Sequence, residues 1–392
     1  MFTGLYNATS VLMHKSTLNY IQGVRAFLPL VAAYFCIVWI LARRPKFPFV
    51  GNPLGYLIGY CIIGLTSSLF LSPERTSSMY WLGLYVAPVL IIWFCVDKED
   101  ALDFLRTIIR LNYIFFFFLT MIIMPEALRV GWGRVPPFQQ YTLPFGLGTQ
   151  RTNGAGRFAL VVIIVCTVRF LMTKTRIRFV WPLIIAPAFF LLLQTQSRTS
   201  LLGLAVIAVL LVFLLGVDWR YLFVGPFMAA GAYVSGFQLR ARGQMGILVD
   251  LSGRQYTWQK GLALIQHSPF LGWGFNADRI LINSEHMHNS YLHAALHSGV
   301  IGAFFFIATF VSLWVLIIKS RLLIKAREVD GPDRAFLFEA ILIVGFLTSR
   351  SFFESTGAFY GVDELLLVPA VAYIGLMARK EIDRPAALRE PV

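Results

Sequence analysis

Apolar runs of about twenty residues recur along this chain from Val24 to Ala378, and each is long enough to cross a hydrocarbon core of ~30 Å as an α-helix. Lipid offers no water to an unpaired peptide group, so such runs must close their hydrogen bonds internally. The chain therefore reads as all-α, a polytopic transmembrane helical bundle forming one domain over residues 1–392. Spans are predicted at 24–41, 49–71, 79–96, 103–124, 157–173, 179–195, 200–217, 220–237, 294–318, 334–350 and 362–378. Residues 3–23 are the candidate for a further, more polar segment, which makes the expected total about eleven to twelve.

Composition agrees, because 57% of the residues are hydrophobic and only 14% are charged, against roughly 45–50% and 25% in soluble domains. Residues 1–23 show no basic stretch followed by a compact apolar core, so no cleavable signal peptide is expected and the first span serves for insertion. Cys36, Cys61, Cys95 and Cys166 all fall inside predicted spans, as small core residues do, and suggest neither a disulfide framework nor a zinc site.

The net charge of +14 would raise the question of nucleic acid in a soluble protein. Here most of it lies in turns: Arg43, Arg44 and Lys46; Lys174, Arg176 and Arg178; Lys319, Arg321, Lys325 and Arg327; Arg379 and Lys380. These follow every second span, so the positive-inside rule puts them in the cytoplasm. Membrane lipids, and no nucleic acid, are the expected surroundings. The opposite side then carries two long connections, Pro125–Gly156 and Gln238–His293, the second expected to bear short helices, and shorter turns near Gln196–Thr199 and Ser351–Gly361. Chemistry concentrates on such loops.

Four polar clusters fall on that side. Gln196-Ser197-Arg198-Thr199 places Arg198 at a helix end, where it either snorkels or meets an anion. The second loop holds Gly253-Arg254 and Trp258, then Pro269 and Gly272-x-Gly274; Trp258, Leu262 and Ile265 are at helical spacing, as on an amphipathic helix lying on the membrane or on the helical body. Four of the six histidines, His286, His288, His293 and His297, come within twelve residues. An imidazole there can be structural or can act as a base near neutral pH. His293 and His297, one helical turn apart, can alternatively hold a metal, although no carboxylate is spaced to complete such a site. Arg350 and Glu354, four residues apart, either neutralise each other or support a site.

Together these motifs resemble the O-antigen ligase and O-antigen or exopolysaccharide polymerase superfamily, most fully over residues 190–310. His288-Asn289, nine intervening residues, Gly299, two more and Gly302 reproduce a His-Asn-x9-Gly-x-x-Gly pattern of the ligase branch. The resemblance implies a bacterial cytoplasmic-membrane enzyme whose site faces the periplasm. It implies an undecaprenyl-diphosphate-linked oligosaccharide as donor and, as acceptor, either lipid A–core (a ligase, slightly favoured) or a second lipid-linked glycan (a polymerase). Transfer is expected to be inverting and metal-independent, with no cofactor. His288 is the expected base, with His286 two residues away as the alternative in that role. Arg198 and Arg254, with Arg157 and Arg151 behind them, are the expected diphosphate ligands, since the planar guanidinium fork matches phosphate oxygens. Asn289, His286, Arg350 and Glu354 are expected to support the site or meet the acceptor. Arg198, Arg254 and His288 should then border one cavity. The rival class is a lipid-linked oligosaccharide flippase or transporter, which would show inverted repeats; none is visible in the sequence.

Overall fold

The computed structural model describes residues 15–44, 52–131, 136, 139–143, 149–218, 220, 254–282, 285–329 and 331–382. Helices α1 (Lys15–Arg43), α2 (Pro53–Phe70), α3 (Arg75–Val96) and α4 (Ala101–Val130) lead to a small hairpin, β1 (Gln140–Thr142) antiparallel to β2 (Thr149–Arg151). Then come α5 (Thr152–Met172), α6 (Val180–Gln194), α7 (Arg198–Leu215), α8 (Arg254–His267) and the single turn α9 (Ala277–Leu281). The chain ends with α10 (Ser290–Lys319), a short α11 (Leu322–Lys325), α12 (Pro332–Ser351) and α13 (Val362–Ile382).

Ten of the eleven predicted spans fall on these helices; the one at 220–237 lies outside the described residues. Among the described residues, seven helices are long and apolar enough to cross a membrane, from Pro53–Phe70 to Ser290–Lys319. Helices α12 and α13 carry more charge but are buried along most of their length, so the protein interior rather than lipid shields Arg350, Asp363 and Glu339. Outward-facing Phe118, Leu183, Phe304 and Ile318 are more than half exposed, which suits a lipid surround. The first long connection is shorter than its sequence suggests. Pro125 lies inside α4, which continues to Val130, and α5 already begins at Thr152.

Helix α10 is broken. Ser298 and Gly299 depart from helical geometry, with Gly299 at φ 62° and ψ −170°, a region that a side chain seldom adopts. Into this break lies the stretch 269–275: Val300 N–H donates to Pro269 C=O at 2.7 Å, Trp273 N–H to Leu296 C=O at 2.9 Å and Gly274 N–H to His297 C=O at 2.8 Å. The break frees these carbonyls, and the loop takes them up. A Cβ on Gly299 would stand 2.1 Å from the Phe270 carbonyl carbon, and one on Gly272 (φ +70°) 2.5 Å from Gly299 N. Two glycines thus let two backbones cross in contact.

The crossing predicts that Gly299→Ala or Gly272→Ala destabilises the protein by at least about 2 kcal/mol. It should be read as a lowered thermal midpoint and lost monodispersity in detergent. Gly375→Ala, where a Cβ would meet nothing within 4 Å, should behave as the parent protein.

Candidate active site

The outer ends of α3, α5, α10 and α13 converge with α9 on a cavity of about 630 Å³ whose wall includes Tyr80, Trp81, Arg157, Asp278, Arg279 and His286. The basic ends of α1, α5, α10 and α13 lie at the other ends of their helices. Residues 355–361 form part of the wall, and buried hydroxyls hold them in place. Tyr60 OH donates to Ala358 C=O at 2.9 Å and Tyr85 OH to Gly357 C=O at 2.8 Å. Ser290 Oγ accepts from Thr356 N–H at 2.6 Å and lies 2.8 Å from Glu354 C=O.

Three carboxylates organise the polar groups. Glu354 gathers residues from three other segments: Arg254 Nη2 donates to Oε1 at 2.9 Å, Asn153 Nδ2 to Oε1 at 3.0 Å, and His288 Nδ1 lies 3.1 Å from Oε2. Arg254 also donates through Nη1 to Phe353 C=O. Asp363 bridges Arg157 at 2.9 Å and Arg350 at 3.4 Å, and Arg350 reaches Thr199 Oγ1 at 3.4 Å. Asp278, buried in α9, faces His286 at 3.0 Å, His293 at 3.2 Å and His297 at 3.6 Å. His286 Nδ1–H donates to Asp278, while its Nε2 accepts from the Arg279 guanidinium. His288 holds a left-handed backbone at φ +49°, uncommon for a residue with a side chain.

Burial opposes ionisation of Glu354, but the hydrogen bond from His288 and the charges of Arg350, His288 and Arg254 outweigh it and bring the carboxyl down to about 2. Burial likewise works against the Asp278 carboxylate, yet the surrounding imidazoles hold it well below its ordinary range. At His286, burial lowers the pKa despite the hydrogen bond to Asp278.

The expectation that Arg198, Arg254 and His288 border one cavity is not met. Arg254 and His288 meet on Glu354, which sits next to the cavity-wall residue Ser355; neither is itself in the wall. Arg198 begins α7 and is exposed, because Ser197, Thr199 and Ser200 take the buried side of that turn. Of the four expected arginines, Arg157 lines the cavity; Arg151, exposed at the end of β2, is close enough for its charge to act on Arg279. Arg350 and Glu354 have separate principal partners, Asp363 for the one and Arg254 with His288 for the other. Asn289 caps α10, accepting from Tyr291 and Leu292 N–H at 3.0 Å, and donates to Phe352 C=O. These bonds fix the backbone next to His288. Helix α8 rests on the helical body through Trp258, whose indole N–H donates to Met287 C=O at 2.7 Å, while Leu262 faces outward. Asp278, Arg279, Asn153 and Asp363 were not legible as site residues.

Residues 161–307 match the family model described as O-antigen ligase. That match supports membership of the O-antigen ligase and polymerase superfamily. No curated protein matches it at a significant level. The matched stretch contains Arg198, Arg254, Asp278 and the four clustered histidines, whereas Arg157, Arg350, Glu354 and Asp363 lie outside it.

Glu354 generates a pH prediction. Its folded pKa lies below the ordinary value of ~4.3 for a free Glu, so its ionisation stabilises the fold above that value and the stabilisation fades as pH falls towards about 2. Relative to Glu354→Gln, the parent protein should have the higher thermal midpoint at pH 6 and lose most of that advantage by pH 3. A constant difference between the two proteins across this range would contradict it.

Proposed function

We propose that this membrane protein transfers a glycan from an undecaprenyl-diphosphate-linked donor to a sugar hydroxyl at the periplasmic face of the bacterial cytoplasmic membrane. The observation that carries this reading is the Arg254–Glu354–His288 constellation beside a cavity walled by Arg157 and Arg279. It stands at the end of the bundle opposite the basic turns, which the positive-inside rule assigns to the cytoplasm.

Glu354 accepts from His288 Nδ1–H, which leaves Nε2 with its lone pair as the base. The acceptor hydroxyl gives its proton to that nitrogen as its oxygen attacks the anomeric carbon. The bond from that carbon to the diphosphate oxygen breaks, and its electron pair leaves on the lipid diphosphate. A single displacement of this kind inverts the anomeric centre. Charge grows on the leaving oxygen as the bond lengthens, and fixed guanidinium groups stabilise it without reorganising. Arg157 and Arg279 face the cavity directly, and Arg254 retains a second N–H on each terminal nitrogen after binding Glu354 and the Phe353 carbonyl. Arg198, exposed at the start of α7, and Arg151, whose charge acts on Arg279, add to the positive field that a membrane-borne diphosphate would meet. The ligase branch, with lipid A–core as acceptor, is favoured by the uninterrupted His288-Asn289 to Gly302 pattern; the alternative is polymerisation of lipid-linked repeats.

The test is purified protein with lipid-linked donor and two competing acceptors, lipid A–core and a second lipid-linked repeat, read by glycan laddering. His288→Ala should lower transfer by about 10²–10⁴ while leaving folded protein in the membrane, and Arg254→Lys or Arg157→Lys should weaken donor use. Full activity of His288→Ala removes it as the base. Product on the lipid-linked repeat alone makes the enzyme a polymerase.

A further inference from the structure

We propose that Asp278, His293 and His297 form a binding site for a divalent transition-metal cation. Their donor atoms lie within 4.8 Å of one another, and all three side chains are at most 2% exposed. His293 and His297 are one turn apart on α10, with rings 4.2 Å apart, and α9 brings Asp278 in from the preceding loop. Two neutral imidazoles and a carboxylate are the donor set that borderline cations such as zinc prefer.

The second observation is the orientation of the rings. A buried histidine ordinarily satisfies its ring nitrogens, yet neither nitrogen of His293 or of His297 makes a hydrogen bond among the described residues. His293 Nε2 is only 3.2 Å from Asp278 Oδ2, where the obstacle is direction, and His297 Nε2 stands 3.6 Å from Oδ1, just beyond hydrogen-bond distance. Ligands at ~2.0–2.1 Å on one tetrahedral ion stand about 3.3 Å apart. These N···O separations are therefore those of atoms sharing an ion, and a small rotation of either ring draws the third pair together. His286, donating to the same carboxylate at 3.0 Å, supplies the outer hydrogen bond that orients a ligating carboxylate. All three ligands line the cavity, so the remaining coordination positions open into it. The ion would tie α9 to α10 beside the glycine crossing; the transfer step above does not require it.

The experiment uses the full chain purified in detergent, stripped with chelator and titrated with Co²⁺. The site should take up about one equivalent, seen as visible d–d absorption that Zn²⁺ displaces, with the thermal midpoint rising on binding. Asp278→Asn and His297→Gln should each lose the signal. The parent protein decides the matter if these variants fold poorly: no stoichiometric Co²⁺ or Zn²⁺ uptake at micromolar concentrations by folded, stripped protein overturns the proposal, as does uptake unchanged in a folded variant. Because the readout is absorbance and metal content, its failure is distinct from a failure of glycan transfer.

Discussion

The site depends on one electrostatic constraint, the burial of Glu354. A carboxylate removed from water is costly unless cations and hydrogen-bond donors replace its hydration. Glu354 obtains them from Arg254 at the start of α8, His288 before α10 and Asn153 in the first turn of α5. These positions are distant in sequence, and no short loop connects them. The carboxylate therefore fixes the outer segment 254–289 to the ends of α5 and α12. Its own position is fixed in turn, since Ser290 Oγ meets its backbone carbonyl and that of Thr356, and Tyr60 and Tyr85 hold the residues that follow.

A second constraint sets the height of the histidines. The glycine crossing takes up the Leu296 and His297 carbonyls that the break in α10 releases. It also places α9, a few residues past Gly274, against the first two turns of α10. Asp278 consequently meets His293 and His297 from the side. The glycines of the His288–Gly302 pattern thus serve geometry, whereas its histidine and asparagine serve the site, and one motif encodes both.

Much of this could be read from residues in order. The spans were legible because lipid imposes one length and one hydrogen-bonding solution on each of them, and the histidine and glycine spacings were legible because both follow the chain. What sequence hid was pairing. Arg350 and Glu354, four apart, suggested each other, but the turn after α12 sends Glu354 to Arg254 and α13 presents Asp363 to Arg350. Asp278 looked unremarkable, fifteen residues before His293, because only the return of the loop onto α10 makes it their neighbour. Arg198 suggested a ligand by its place at a helix end, and the serines and threonine beside it decided which side of the turn was buried.

The balance of charge at this end of the bundle bears on what the cavity can accept. Glu354, Asp363 and Asp278 are surrounded by Arg157, Arg254, Arg279 and Arg350, with Arg151 near enough to act on Arg279. Each carboxylate spreads its charge over more than one partner, so the guanidinium groups are held in place while their positive charge is only partly cancelled. An arginine neutralised by a dedicated carboxylate would gain little from a phosphate, and one with no carboxylate would be costly to bury and poorly oriented. Shared carboxylates avoid both outcomes. The guanidinium groups are thus oriented in advance and the site keeps a positive balance, which is the electrostatic condition for receiving an anionic group and for the transfer proposed above. A transporter would need its charged groups near the midplane and accessible from both sides in turn; here the described polar clusters around the cavity are bound to one end of the bundle by the same contacts that shape it.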